Sequence, residues 1–143
     1  MRGELSFFIL ATEDRDKILE KISKVLGISS EKIKRFSKSQ ILTGHYGYPI
    51  EHFKIQLSNS DVKEVLRIIM KGMSEVDRSF FLEEIDEYFD NRGRLYIRLD
   101  KQRLCLGRIN LSDRDPIRLV VYGTHRTKIL EFLQQVSKNE KLF

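Results

Sequence analysis

Alternating apolar and polar positions predict a series of β-strands along the chain. The short apolar run LSFFILA, residues 5–11, is typical of a buried strand. Residues 33–57 predict two more strands joined by the Gly-containing connection ILTGHYGYP. Alternation resumes over residues 94–122, where the apolar positions change parity between Leu99 and Leu104. Because one straight strand cannot change that parity, this stretch predicts three strands separated by turns.

Apolar residues recur at helical spacing in four other segments. Ser, Thr and Gly residues lie at the ends of several of these segments, as expected for helix caps. The predicted helices run from Thr12 to Gly27, from Ser58 or Ser60 to Gly72 and from Ser74 to Phe89, and a last helix after residues 123–126 has its apolar side from Ile129 to Val136. The third of them carries five acidic side chains on its polar face, which is more typical of a solvated surface than of a metal site.

These elements predict a single α+β domain over residues 1–143. Their order is β-α-β-β-α-α-β-β-β-α, in which short antiparallel connections predominate. We therefore expect an antiparallel sheet of about six strands with the helices packed on one face. The length is sufficient for a core without disulfides, and the only cysteine, Cys105, falls beside leucines, where packing is its expected role.

Positive charge is concentrated in the last third of the chain. Residues 91–128 contain ten Lys or Arg and three Asp, a net charge of +7, whereas residues 1–90 have a net charge of −2. Arg outnumbers Lys in the basic segment, which favours bidentate contacts with phosphate and stacking on bases. A basic surface segregated from an acidic one is typical of nucleic-acid binding. A solvated sheet face with ordinary solubility charges is the alternative interpretation.

The predicted basic strands place polar and aromatic side chains on their outward face. These are Arg94, Tyr96, Arg98, Arg118 and Tyr122. The turn after the first strand brings Lys101 and Arg103 to a hairpin tip, and Arg108 follows in the second strand. We predict that the cations contact a nucleic-acid backbone while the tyrosines stack on bases.

The connection ILTGHYGYP supplies a second candidate surface. His45 and Tyr46 lie between two glycines, where an imidazole and a phenol ring can be presented to bases. A hairpin loop whose glycines supply unusual backbone dihedrals explains the same residues without a function. The glycine spacing matches no phosphate-binding loop.

Two other classes of function fit the sequence. A protein-interaction module would use the acidic third helix, opposite a basic sheet, to dock on a larger complex. An enzyme would best be a metal-dependent nuclease using Asp113 and Asp115, although turn chemistry before Pro116 also explains these acids. We expect no cofactor and no metal. No apolar run approaches the roughly 20 residues that span a bilayer, so we expect a cytoplasmic protein without membrane association, and its oligomeric state stays open.

Three stretches resemble a known family. They are FILATEDRDKIL at the first strand and helix, TGHYGYPIE in the hairpin, and GRLYIRLDKQRLCLG with DPIRLVV in the basic strands. In this order they are similar to small archaeal RNA-binding proteins described as predicted exosome subunits, over roughly residues 5–122. Tyr48 stands where a family member would be expected to have Asn, in GHYGNP.

The resemblance implies a fold like that of the ribosomal protein that binds 5S RNA. It implies structured or single-stranded RNA as the partner and association with RNA-processing or ribosome-linked machinery, and it does not imply catalysis. With the charge pattern, it predicts a non-catalytic protein that recognises the RNA backbone and stacks exposed bases. The residues predicted for this role are Arg94, Tyr96, Arg98, Lys101, Arg103, Arg108, Arg118, Tyr122, His45 and Tyr46.

Overall fold

The computed structural model describes residues 1–44 and 46–141 of the chain. Its strands are β1 (Arg2–Leu10), β2 (Ser37–Thr43), β3 (Pro49–Leu57), β4 (Leu95–Asp100) and β5 (Pro116–Tyr122). They form one antiparallel sheet in the order β2-β3-β1-β5-β4. The first strand is therefore the central one, and its partner β5 comes from near the end of the described chain.

Six α-helices and one 3-10 helix connect the strands. They are α1 (Arg15–Leu26), α2 (Ser30–Phe36), α3 (Asn59–Gly72), α4 (Glu75–Glu83), the 3-10 helix Ile85–Tyr88, α5 (Lys101–Cys105) and α6 (Arg126–Lys141). Five helices are preceded by a side chain that accepts a hydrogen bond from the first-turn backbone, and these N-caps are Asp14, Ser29, Ser58, Ser74 and Asp100. Two of the predicted starts, Ser58 and Ser74, coincide with these caps, whereas α1 begins at Asp14 rather than at Thr12.

The helices pack on one face of the sheet. Leu5, Phe7 and Ile9 of β1 alternate into a core that also contains the apolar stripes of α1, α3 and α6. A Cβ atom at Gly3 would lie 2.8 Å from Val62 Cγ2, so glycine permits the close approach of α3 to the central strand. The prediction of an α+β domain with an antiparallel sheet and helices on one face is confirmed.

The sheet has five strands rather than the six expected. The segment predicted as a strand after Leu99 begins instead with α5, because the Asp100 side chain accepts a hydrogen bond from the Arg103 backbone at 2.9 Å and caps a helical turn. Leu104 then reaches the core, while Leu106 is 73% exposed. The N-terminal part of the predicted hairpin over 33–57 is likewise helical, in α2.

Lys101 is fully buried at the start of α5. Its Nζ donates to the Phe8 carbonyl oxygen at 2.6 Å and pairs with Glu13 Oε1 at 2.8 Å and Asp115 Oδ2 at 2.7 Å. The prediction that Lys101 lies exposed at a hairpin tip is therefore wrong. Its three bonds tie the end of β1, the loop before α1 and the turn before β5 to one ammonium group.

Two features of its partners depend on this ammonium. Asp115 has a φ of +42°, a left-handed backbone that costs free energy in a residue other than glycine. Burial by itself would raise the pKa of Glu13, but the hydrogen bond and charge of Lys101, together with the Leu10 N–H, bring that pKa below its usual value. The network therefore keeps Glu13 ionised.

We expect Lys101→Ala to lower the free energy of unfolding by about 3–5 kcal/mol, because it leaves two carboxylates around a site that has lost its counter-charge. Urea denaturation followed by circular dichroism measures this. Arg103→Ala, an exposed residue two positions later, is the control and should change stability by less than about 0.5 kcal/mol. Equal stabilities of the two variants would contradict a structural role for Lys101.

Glu13→Gln should flatten the acid limb of the stability profile. Because the folded-state pKa of Glu13 is lowered, its ionised form stabilises the fold above its unfolded pKa of about 4.3, and this contribution is lost as the pH falls through the folded value. Urea denaturation at steps from pH 6 to pH 3 compares the variant with the wild type. Parallel profiles would mean that Lys101 does not hold this carboxylate ionised.

Candidate nucleic-acid interface

The face of the sheet turned away from the helical core is its open face. Strand register lines up residues across the middle of this face, pairing Lys38 with Lys54, Lys54 with Ser6, Ser6 with Arg118, and Arg118 with Arg98. Lys38, Lys54, Arg118 and Arg98 form what we call the cationic row. Neighbouring strands lie about 4.8 Å apart, so the row crosses all five strands over about 20 Å.

The four cations of the row make no ion pairs within residues 1–44 and 46–141, whereas Arg15 pairs with Glu51 at 2.8 Å on the other side of the sheet. Four cations along one line, none of them paired with a carboxylate of the described chain, repel one another in the free protein. A polyanion bound across the row would relieve this repulsion.

Tyr96 holds the β4 end of the row in place. The guanidinium of Arg118 lies 5.7 Å from the Tyr96 ring centroid and that of Arg94 lies 5.8 Å from it, within the range of cation–π contacts. Arg94 is also paired with Asp90 at 2.7 Å, so part of its charge is compensated. Arg118 Nε is buried and has no hydrogen-bond partner in the described part of the chain. The Arg118 guanidinium is thus oriented by an aromatic ring rather than by a carboxylate.

An aromatic pair lies beside the row on β1 and β3. The rings of Phe8 and His52 stack with centroids 4.5 Å apart and an angle of 22° between their planes, and Phe8 is 38% exposed. Burial lowers the pKa of His52 below its usual 6.5, and the charges of Lys54 and Arg118 lower it further, against an opposite effect of Glu4. The imidazole is therefore neutral at pH 7 and extends the apolar ring surface.

Apolar side chains continue the open face toward the β2–β3 turn. Leu42 and Ile50 are register partners at that end, and Leu10 pairs with Ile50. A cavity of about 320 Å³ lies next to them and is lined in part by Tyr46 and Tyr48, both exposed. The predicted stacking residue Tyr46 is therefore at one end of the open face, while His45 lies outside the described residues.

The structure brings together part of the predicted site. Tyr96, Arg98, Arg118 and Tyr122 share the open face of β4 and β5, and Arg94 directly precedes β4 beside them. Tyr122 donates a hydrogen bond to Gln56 Oε1 at 3.1 Å at the far end of the face. Their placement agrees with the outward face expected from alternation.

Three predicted cations lie elsewhere. Lys101 is buried and cannot reach a ligand on the surface. Arg103 and Arg108 are exposed, but they belong to α5 and the loop after it, and α5 packs against α1. A role for these two arginines in RNA binding stays a prediction.

The sequence interpretation missed the β1 and β3 side of the interface. Lys38, Lys54, Phe8 and His52 lie on the open face, and none of them is among the residues predicted to bind RNA. Alternation through RGELSFFIL and PIEHFKIQL contains this signal, because Ser6, Phe8, His52 and Lys54 occupy every second position. The sequence does not show that β1 lies between β3 and β5, and this strand order is what aligns these residues with Arg118.

Asp113 and Asp115 are the residues that a metal-dependent nuclease would use. In the parts of the chain that the structure describes, no group of three or more His, Cys, Asp or Glu side chains could hold a metal ion. Asp115 is paired with Lys101, whereas Asp113 makes no ion pair in the described residues. Burial raises the pKa of the Cys105 thiol, so the thiolate is disfavoured at neutral pH. No described helix has the length and hydropathy to cross a bilayer.

Comparison with known proteins gives relatives from archaea. RNA-binding protein PAB1135 of Pyrococcus abyssi is 30% identical over 112 residues, which are 77% of this chain and 72% of that protein. The crystal structure of protein AF2318 from Archaeglobus fulgidus is 27% identical, with a TM-score of 0.69 over 94% of this chain and 97% of that one. Protein SSO0741 from Sulfolobus solfataricus shares the fold at 23% identity, with a TM-score of 0.75 over 97% and 99% of the two chains.

A family model described as RNA binding matches residues 4–122. The match includes all four members of the cationic row and most of the sheet. The resemblance to an archaeal RNA-binding family is confirmed, and the chain belongs to the RNA binding family.

Proposed function

We propose that this protein binds RNA on the open face of its sheet, without catalysing a reaction on it. The observation that carries the proposal is the cationic row, in which four cations cross the sheet and make no ion pair within the described residues. An RNA strand laid across the sheet would place its phosphates along this row and release counterions. Affinity should therefore come mainly from the backbone, with little dependence on sequence.

Base contacts in this proposal come from aromatic rings on both sides of the row. The Phe8–His52 pair presents a partly exposed ring surface next to Lys54, and Tyr96 lies next to Arg118. Base stacking on such rings contributes about 1–3 kcal/mol per base and tolerates any sequence. A neutral His52 is suited to this role, because its ring stacks without adding another cation to the row.

Docking on a larger complex is a second candidate function, and α4 is the element that favours it. Val76 and Phe80 lie one helical turn apart on α4 and are 64% and 59% exposed. Glu75 and Glu83 flank them, so this surface is acidic as well as apolar. We propose that α4 attaches the RNA-bound protein to a basic surface of RNA-processing or ribosome-linked machinery. The two functions use different elements, α4 and the open face of the sheet, and are compatible.

The double variant Lys54→Gln with Arg98→Gln should weaken RNA binding at least tenfold at low salt. Each exposed side chain is proposed to contact a phosphate, so the slope of log affinity against log salt should also become shallower by about 1.4. Fluorescence anisotropy with a labelled single-stranded RNA, titrated between about 50 and 200 mM salt, measures both quantities.

The matched control is Lys21→Gln with Lys71→Gln, which removes the same charge from exposed positions of α1 and α3. It should change affinity by less than about twofold, since α1 and α3 pack on the other face of the sheet and salt screens exposed charges over a Debye length of about 10 Å. Equal losses in the two double variants would show that net charge, and not the row, governs binding. Docking through α4 would then be the better-supported function.

RNA binding should raise the pKa of His52. In the free protein the charges of Lys54 and Arg118 help to lower this pKa, and phosphates beside them would oppose that effect and stabilise the imidazolium. An NMR titration of the imidazole between pH 5 and 8, with and without RNA, measures the change. As the reference, Lys54→Gln should raise the pKa in the free protein. A His52 pKa that does not respond to bound RNA would mean that the backbone lies elsewhere.

A further inference from the structure

A second cavity, of about 500 Å³, lies along β4 at the outer edge of the sheet. The side chains of Tyr96 and Arg98 form its inner side, and residues 87–90 and 111–113 form its walls. We call it the edge cavity. Arg98 is also the last member of the cationic row, so the cavity and the row are continuous.

Backbone hydrogen bonds fix the walls of the edge cavity to β4. Phe89 forms an antiparallel bridge with Leu95, and Leu111 forms one with Leu99. The Ser112 N–H also donates to the Arg98 carbonyl oxygen at 3.0 Å. A site whose walls are joined to a sheet strand keeps its shape without a ligand, which lowers the entropic cost of binding.

Three aromatic rings line the cavity. Tyr88 packs edge-on against Phe81 with centroids 4.7 Å apart, and the guanidinium of Arg126 lies 4.8 Å from the Phe89 ring centroid. The third ring is that of Tyr96, beside the row. Planar ring surfaces around a cavity of this size suit a nucleobase that leaves the stack of its neighbours.

Three carboxylates line this cavity and distinguish it from the rest of the basic surface. Asp90 is paired with Arg94, whereas Glu87 and Asp113 make neither an ion pair nor a side-chain hydrogen bond in the described part of the chain. Burial and the charge of Glu84 raise the pKa of Tyr88, and the charges of Glu87 and Asp113 raise it further. Carboxylates repel phosphate and accept hydrogen bonds from N–H groups, so they select the base and not the backbone of a nucleotide.

We propose that the edge cavity binds a guanine base of the RNA whose backbone lies on the cationic row, an inference that rests on the proposed function. Guanine is the RNA base with two adjacent donors on its Watson–Crick edge, the N1–H and the N2 amino group, and a carboxylate accepts both in parallel. Adenine, cytosine and uracil each offer one donor group on that edge. With the neighbouring phosphate on Arg98, the guanine stacks on Tyr96 and directs its donors toward Asp113 or Glu87.

The test compares short labelled RNAs that differ at one central base. Uridine heptamers with guanine, inosine or adenine in the middle are titrated by fluorescence anisotropy at one salt concentration. Inosine keeps the N1–H and lacks the amino group. The wild type should bind the guanine RNA roughly tenfold more tightly than the adenine RNA, with inosine between them, as a bidentate contact requires.

Two double variants locate the effect. Glu87→Gln with Asp113→Asn should reduce the ratio of guanine to adenine affinity to within twofold, because each amide replaces an acceptor oxygen by a donor. Glu75→Gln with Glu83→Gln removes the same charge from α4 outside the cavity and should keep the ratio at its wild-type value. A ratio serves as the readout because loss of negative charge alone strengthens binding of every RNA equally.

The outcomes separate this inference from the proposed function. Salt-sensitive binding of all three RNAs with equal affinity overturns the guanine site and leaves the cationic row standing. A guanine preference that survives in Glu87→Gln with Asp113→Asn also overturns it, because the base is then read elsewhere. Absence of binding to any RNA overturns both proposals.

Discussion

The ammonium group of Lys101 is the constraint on which the placement of the open face depends. A buried cation is tolerated only where carboxylates and carbonyl oxygens surround it, and here those groups come from three separate parts of the chain. Asp115 keeps its left-handed backbone next to the ammonium, directly before β5, and Arg118 follows three residues later. The Phe8 carbonyl belongs to the residue that carries the stacked ring. One ion network therefore fixes the ends of two strands whose side chains form the centre of the candidate interface.

Alternation of apolar and polar residues predicted β4 and β5 correctly. Alternation placed Tyr96, Arg98 and Arg118 on one face because the period of a strand is a property of its own backbone. Alternation gave a wrong prediction after Leu99, where a strand was expected and the structure has α5. Asp100 is a residue type favoured at N-caps, but a five-residue helix is too short for helical periodicity to show. The burial of Lys101 could not be predicted either, because a lysine is read as exposed unless its partners are known, and Glu13 lies 88 residues away.

The cationic row is a non-local feature and was only half predicted. Arg98 and Arg118 lie on adjacent strands close in sequence, and their charge alone drew attention to them. Lys38 and Lys54 join the same line only because β1 pairs with both β3 and β5 and so aligns the two halves of the chain through Ser6. The run LSFFILA was predicted to be a buried strand, but its Phe8 lies on the open face. The helices cover one face of the sheet, so the other face of its central strand is uncovered.

The two edges of the sheet differ in a way that explains where base recognition would be located. Along β2 the side chains are almost all exposed and no further backbone closes the edge within the described residues, so a nucleotide there would meet only a flat surface. Along β4, bridges from Phe89 and Leu111 build walls on the far side of Tyr96 and Arg98. Charge in the middle of the sheet can hold a backbone of any sequence, whereas selection of a base needs a walled space with acceptors that a phosphate would avoid. In the described structure, Arg98 belongs to both the cationic row and the edge cavity. The charge that holds a backbone and the walled space that selects a base therefore meet at Arg98.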